Sequence, residues 1–303
     1  SKNSNPDIKA LLNISIGCDK KCSYCIVPHT RGKEISIPTS MLLDEAKRLV
    51  DNGVKEILLL GQNVNNYGAR FSTPHKQTNF TTLLRELGEI EGLERIRFTS
   101  PHPLHMDDEF LEEFANNKKV CKSIHIPLQS GSSKVLKEMK RGYSKEWYLN
   151  RIQKLRSLVP EVGISTDIIV AFPTESDEDF EDTMDVLEQV RFDTLYSFIY
   201  SPRPHTPAKD LPNPISKEIA SSRLARLQNR HKEILKEKGA NEIGKEHWVL
   251  VENYRDDEGE KWSEGRSDSN RLIKIPNTLL PIGSLIKVKI TSHDGGSLSG
   301  EVL

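Results

Sequence analysis

Cys18, Cys22 and Cys25 stand in the run Gly17-Cys18-Asp19-Lys20-Lys21-Cys22-Ser23-Tyr24-Cys25, a C-x3-C-x2-C spacing. Three thiolates on one short loop can hold three irons of a cubic iron–sulfur cluster. With no fourth cysteine nearby, one iron keeps an open coordination position. An open corner is what such a cluster needs to act on a bound molecule. Two other readings use the same residues. His29 extends the run to C-x3-C-x2-C-x3-H, a Cys3His zinc set. The thiols could also be free members of a core. The remaining cysteine, Cys121, precedes an apolar stretch with Ile124 and Ile126 and is expected to be a small buried hydrophobe.

Those residues must be positioned by regular elements, and strand and helix patterns alternate along the chain. Leu11–Ile16 is an apolar strand ending at Gly17, just before the cysteines. A helix follows, with Thr39 or Ser40 as its N-cap, Asp44 and Glu45 in its next turn and Gly53 past its end. Strands are expected at 57–60, 95–99, 123–128, 162–170 and 194–200. Helices are expected at 80–90, 107–115, 132–139, 145–158, 177–190 and 216–238. That makes about six βα units, the pattern of a parallel sheet with helices outside. Six are too few for the eight-fold barrel, so an open, partial (βα)6 barrel is expected, with its chemistry at the C-terminal strand ends. Past Gly239 the pattern changes to five short strands near 248–252, 261–265, 272–275, 285–290 and 298–303. Turns at Arg255–Gly259 and His293–Gly296 separate some of them. This is the signature of a small closed barrel like the oligonucleotide-binding folds. The expected domains are therefore 1–7, a linker remnant without an initiator Met, then 8–238 and 239–303.

The chain has 303 residues and a net charge of −1, so no global field draws it to nucleic acid or membrane. Four cysteines with three clustered make no disulfide framework, and thiolate ligands suit a reducing cytoplasm. No signal peptide opens it and no apolar run approaches ~20 residues, so no membrane partner is expected.

The cysteine spacing, with Tyr24 before the last cysteine, resembles the radical S-adenosylmethionine (SAM) enzymes. Resemblance implies that the open iron chelates SAM and that one electron cleaves it to methionine and a 5′-deoxyadenosyl radical. Further runs resemble a narrower group, the tRNA methylthiotransferases. Gly61-Gln62-Asn63-Val64-Asn65, with Tyr67-Gly68, follows the second strand. Thr30–Glu34 follows the cysteines, and Thr99-Ser100-Pro101-His102-Pro103 ends the third strand. His125–Gly131 ends the fourth, Met139-Lys140-Arg141 lies in the crossover, Asp167–Glu175 spans the fifth and Tyr200–Pro204 ends the sixth. The last stretch is similar to the TRAM domain, an RNA-binding module. The chain departs from the usual Gly-Phe-Pro-Gly-Glu at Ala171-Phe172-Pro173-Thr174-Glu175. It also departs from Pro-Arg-Pro-Gly-Thr at Pro202-Arg203-Pro204-His205-Thr206.

The resemblance implies a 4Fe–4S cluster on Cys18, Cys22 and Cys25 with one open iron, and SAM as second cofactor. It implies Gln62 against the methionine moiety, Gln129 and Asp167 as ribose hydroxyl partners and Arg141 against the SAM carboxylate. His102, His125 and Arg203 are rim candidates for substrate contact or structural residues. It implies methylthiolation of C2 of N6-isopentenyl-adenosine in the tRNA anticodon stem-loop, by a cytoplasmic monomer fed by a reducing electron-donor protein. A second 4Fe–4S cluster is expected only in an N-terminal domain outside these residues, so these residues alone are predicted not to finish the reaction. The alternatives are a methylthiotransferase of another tRNA adenosine modification or of a ribosomal protein, and a zinc-containing, non-catalytic RNA-binding protein. Basic runs at 132–156 and along the last long helix could meet phosphate, although solvated helix faces are the commoner cause. The small C-terminal barrel is not basic, and Arg271, Lys287 and Lys289 are its candidate RNA contacts.

Overall fold

The computed structural model describes residues 7–71, 78–212, 215–257 and 260–303. The linker expected at 1–7 lies outside them except for Asp7. The first domain runs β1 (Lys9–Asn13), β2 (Ser15–Ile16), α1 (Val27–Arg31), β3 (Ile35–Ser36), α2 (Thr39–Asp51), β4 (Glu56–Leu60), α3 (Phe80–Gly88) and β5 (Arg95–Phe98). It continues with α4 (Asp108–Asn116), β6 (Ser123–His125), α5 (Ser133–Glu138), α6 (Lys145–Leu158), β7 (Gly163–Val170), α7 (Asp177–Val190), β8 (Thr194–Ile199) and α8 (Lys217–Ala240). Five more strands follow: β9 (Glu246–Asp257), β10 (Glu260–Ser267), β11 (Leu272–Pro276), β12 (Leu285–His293) and β13 (Leu298–Val302).

The helices start where side chains can cap them. Asn79, Asp107, Ser132, Ser144, Ser176 and Ser216 each accept a backbone N–H from the first turn of the helix that follows. At α2 the expected cap differs. Pro38 takes the N-cap position, and the Thr39 hydroxyl is hydrogen-bonded to Tyr67 Oη (3.0 Å) instead. Sequence spacing could not show that a distant phenol claims that hydroxyl.

Strands β1-β4-β5 and β6-β7-β8 pair in parallel as two three-stranded sheets. An isolated parallel bridge joins Ile96 of β5 to Val120, in the segment just before β6. Among the described residues β8 and β1 do not pair, so the barrel stays open along that side. The strands alternate as a sheet buried on one face must. Leu12, Ile57, Leu59, Ile96, Ile124, Ile164, Ile168 and Val170 are buried in one core with Leu42, Leu83, Phe110, Ile152 and Leu187 of the outer helices. The intervening residues Leu11, Leu58, Arg97, His125, Ser165, Asp167 and Tyr196 line the lumen.

The second unit is a closed barrel in the order β10-β11-β13-β12-β9, around Val249, Ile273, Ile275, Val288 and Ile290. Helix α8 runs through residue 239 to Ala240 before it. The turn expected over 255–259 is strand as far as Asp257, and residues 258–259 lie outside the described residues. This barrel seats itself against the N-terminal ends of the parallel strands. Arg95 donates to the carbonyls of Arg266 (2.7 Å) and Trp248 (3.1 Å). Arg97 donates to those of Ser267 (2.8 Å) and Asp268 (3.2 Å) and to Glu56 Oε2 (3.0 Å). Gly163 is required at this seam, because a Cβ there would stand 2.3 Å from Ser269 O.

Candidate active site

The cysteine loop leaves β2 at the C-terminal rim, and backbone bonds hold both of its arms. Cys18 N–H donates to Gly32 O (3.1 Å), and Glu34 N–H donates to Asp19 Oδ1 (3.2 Å). Gly17 has φ +83°, and a Cβ on it would lie 2.2 Å from Lys33 O. No side chain fits there. The middle of the loop rests on the α5 end. Ser23 donates through N to Met139 O (3.1 Å) and through Oγ to Glu138 O (2.7 Å), and its carbonyl accepts from Ala208 N (2.9 Å). Cys22 is buried, while Cys18 and Cys25 are half-buried. Burial raises the Cys18 and Cys25 thiols, and neighbouring thiols of the trio push the same way. Metal binding must therefore displace protons.

Arg141 anchors Cys22. Its Nη1 donates to Cys22 Sγ (3.4 Å), Nε to Tyr143 Oη (3.0 Å) and Nη2 to Pro127 O (3.0 Å). It is buried, not part of a solvated face. Gln62 accepts the Gly17 N–H at its Oε1 (2.7 Å), so it also grips the loop just before Cys18. Asp167 stands in the lumen with its Oδ2 3.3 Å from His125 Nε2, while His125 Nδ1 meets Ser165 Oγ (2.9 Å). Tyr196 packs edge-on to His125. Gln129 is buried with φ +74°, and its backbone bridges to β7 through Asp167 O and Ile169 N. Arg203 is exposed.

The polar loop after β4 works as a set of bolts. Asn63 and Asn66 donate to the buried carboxylate of Glu34 (3.3 and 3.0 Å), on the arm returning from the cysteines. Asn65 clamps the backbone of His102 on both sides. Tyr67 Oη donates to Ile37 O (2.7 Å). Glu34, Asn65 and Tyr143 received no role from the sequence. Glu34 and Asn65 sit inside quoted motifs, so the motif was the available signal; Tyr143 had none.

A cavity of about 730 Å³ occupies the lumen, walled by His125, Ser165, Asp167, Tyr196 and Leu11 and floored by Ser269 and Asn270 of the small barrel. The three cysteines are not among its walls; their loop lies on the rim. Among the described residues no three His, Cys, Asp or Glu side chains are gathered as a single-ion site. His29 packs instead against the His205 ring at 5.9 Å. A cubane spreads its thiolates over three irons and needs no such tight group. Three soft donors on a rim loop, one fixed by a guanidinium, fit that group. The basic runs are largely neutralised from within. Lys134 pairs with Asp179, Lys145 with Asp182 and Asp185, and Arg151 and Lys154 with Asp108. Arg223, Arg226 and Arg230 pair with α7 or α8 acids and with Glu175, and Arg271 with Asp193 and Glu242. Among the described residues no helix is long and apolar enough to cross a membrane.

Two solved structures share the fold at low identity. One is TsrM, a radical S-adenosylmethionine methyltransferase from Kitasatospora setae with cobalamin and a [4Fe-4S] cluster. It has a TM-score of 0.54, 18% identity, and coverage of 66% of this chain and 38% of that one. The other is coproporphyrinogen III oxidase (HemN) from Escherichia coli, with a TM-score of 0.50, 14% identity, and coverage of 98% and 72%. Sequence relatives are far nearer. A tRNA-2-methylthio-N(6)-dimethylallyladenosine synthase of Helicobacter hepaticus is 67% identical over 98% of this chain. Its namesake in Helicobacter pylori strain Shi470 is 66% identical over 96%. The chain spans 64% and 67% of their respective lengths. The Radical SAM superfamily model matches residues 12–187, and with these relatives it shows that the chain belongs to the radical SAM superfamily and, within it, to the family of those synthases.

Proposed function

We propose that this chain provides the SAM-cleaving machinery of a tRNA methylthiotransferase acting at C2 of N6-isopentenyl-adenosine beside the anticodon. The observation that carries the reading is two-thirds identity to such synthases along nearly the whole chain, with a rim loop of three thiols held in place. Family membership carries a 4Fe–4S cluster and SAM as cofactors. When bound, they supply one-electron reductive cleavage of SAM and a radical able to abstract hydrogen.

The chain's own residues position and exclude. Cys18, Cys22 and Cys25 hold three irons and leave one corner for SAM. Gln62 and Arg141 fix the loop that carries these thiolates, through Gly17 and Cys22. Asp167, oriented by His125, and Gln129 would bind the ribose hydroxyls of SAM. The lumen walls shield the reacting atoms from water. The small barrel serves as a TRAM-type RNA module for the anticodon stem-loop, and the protein works as a monomer with a reducing donor protein. A second three-cysteine cluster cannot come from these residues, since Cys121 is the only cysteine left and is fully buried. These 303 residues alone therefore cleave SAM without completing methylthiolation.

Oxygen-free protein is expected to be brown, absorbing near ~400 nm, and to release 5′-deoxyadenosine from SAM. Cys22→Ala is expected to lose both. A colourless zinc protein, or a Cys22→Ala variant that keeps either property, refutes the reading. In a deletion strain, tRNA mass spectrometry should show loss of the 2-methylthio mark on isopentenyl-adenosine. Loss from another modified adenosine, or from a ribosomal protein, would favour the sibling activities.

A further inference from the structure

Arg141 is a buried cation, and among the described residues no carboxylate is paired with it. Its hydrogen bonds are three. Nε donates to Tyr143 Oη (3.0 Å), Nη2 to Pro127 O (3.0 Å) and Nη1 to Cys22 Sγ (3.4 Å). Tyr143 is fixed in turn, since its hydroxyl also meets Pro127 O (3.0 Å) and Leu128 O (3.1 Å). The guanidinium lies over the Tyr143 ring at 5.5 Å. Arg141 follows α5 closely, and its fork reaches across to the cysteine loop.

A buried ion is destabilising unless an opposite charge and hydrogen bonds compensate it. Two of the three partners supply dipoles alone. Pro127 offers a carbonyl, and burial holds the Tyr143 hydroxyl above its usual pKa, so it stays protonated. Cys22 is the partner that can carry a full negative charge, as a thiolate. The other two thiols are held differently. Cys18 and Cys25 take hydrogen bonds from the backbone of Lys20 and Val27, which are neutral donors. Among the described residues, Cys22 alone of the trio is hydrogen-bonded by a charged side chain. Charge-assisted bonds of this kind are the stronger class.

We propose that Arg141 is the counter-ion of the cluster: its Nη1–H bond to the Cys22 thiolate raises the cluster's reduction potential, and does so before SAM binds. This rests on the cluster reading above. Reduction takes one electron from the reducing donor and adds one negative charge to the unit that Cys22 ligates; no covalent bond of the protein changes and Arg141 keeps its proton. A fixed cation donating to a ligand sulfur stabilises the reduced form more than the oxidised one. A role against the SAM carboxylate, which the family resemblance implies for Arg141, would act only once SAM is bound, so the two roles are separable.

The test uses the whole chain with its cluster rebuilt anaerobically and no SAM present, titrated with reductant and read by electron paramagnetic resonance. Arg141→Met is expected to shift the reduction equilibrium at least about tenfold toward the oxidised cluster, which is about 59 mV for one electron. Arg141→Lys, which keeps the charge, is expected to recover part of that shift. Labelled with 15N-arginine, the reduced wild-type cluster should show an arginine nitrogen coupling in pulsed spectra without SAM. A wild-type potential in Arg141→Met overturns the inference; weakened SAM binding beside that unchanged potential would give Arg141 the carboxylate role instead. Equal shifts in the Met and Lys variants would mark a purely structural anchor and overturn it too. A normal reduced-cluster signal with no arginine coupling does the same. Each of these outcomes leaves the cluster reading intact, whereas absence of any cluster signal in the wild type overturns both. The labelled wild type decides the matter even if Arg141→Met fails to hold a cluster.

Discussion

Side chains replace family glycines at three positions, and two of those adopt the backbone glycine would favour. Ala171 has φ +59° and His205 has φ +61°, both left-handed. A non-glycine residue pays roughly 1–2 kcal/mol in that region. Ala171→Gly is therefore expected to stabilise the protein by about 0.5–1 kcal/mol, after allowing for glycine's greater freedom in the unfolded chain. Urea denaturation midpoints check this, and a fall in stability would contradict the strain. Thr174, the third, earns its place differently: its hydroxyl donates to Glu138, whose carbonyl carries Ser23 of the cysteine loop. That contact was invisible in the sequence, where Thr174 looked only like a lost glycine.

At the scale of elements, the crossover after β6 depends on close packing with α7. Gly131 N–H donates to Thr183 Oγ1 (2.9 Å), and a Cβ at 131 would sit 2.4 Å from Asp182 O and from Thr183 Cα. Gly131→Ala must push α7 away, because both obstacles are backbone. A loss of about 2–3 kcal/mol is expected, in the upper range of overpacking costs. Calorimetry would show it as a lowered melting temperature, and an unchanged one would mean the helix gives way freely. α7 is firmly placed at this end: Ser176 and Asp179 form a capping box, and Asp179 Oδ1 also accepts from Ser132 Oγ (2.6 Å).

At the scale of the molecule, the small barrel closes the floor of the lumen, and Arg97 is the principal tie. It is buried and bonds to Glu56, Ser123, Ser267 O and Asp268 O. Arg97→Met would leave Glu56, itself buried, with Lys9 alone at 3.5 Å. Loss of one partner from a buried pair costs about 3–5 kcal/mol. The small barrel should then become sensitive to protease before the large domain, and uniform resistance would contradict the tie. Glu242 adds a pH-dependent tie. Burial raises its pKa, but the hydrogen bond from His247 and the charges of Arg271 and Lys245 outweigh that and hold it at about 2. Its folded pKa lies below the unfolded 4.5, so its contribution is fully present above pH 4.5 and is lost as pH falls toward 2. Stability measured from pH 6 to 2.5 should fall in that window, and Glu242→Gln should flatten the fall.

The alternation of the main strands and helices, the three thiols and their place after the first strand unit were legible in the sequence; the short antiparallel pair β2–β3, which splits the strand expected over 11–16, and α1 were not. Periodicity and spacing are local, and each strand's alternation shows in its own residues. Tertiary structure alone decided the rest. It made Arg141, expected against the SAM carboxylate, the anchor of Cys22, and it made the polar loop a set of bolts on Glu34 and His102. It also turned the basic runs into internally paired surfaces. Hydrogen-bond partners about 30 to 120 residues away depend on how the open sheet curves, and no local pattern encodes that curvature.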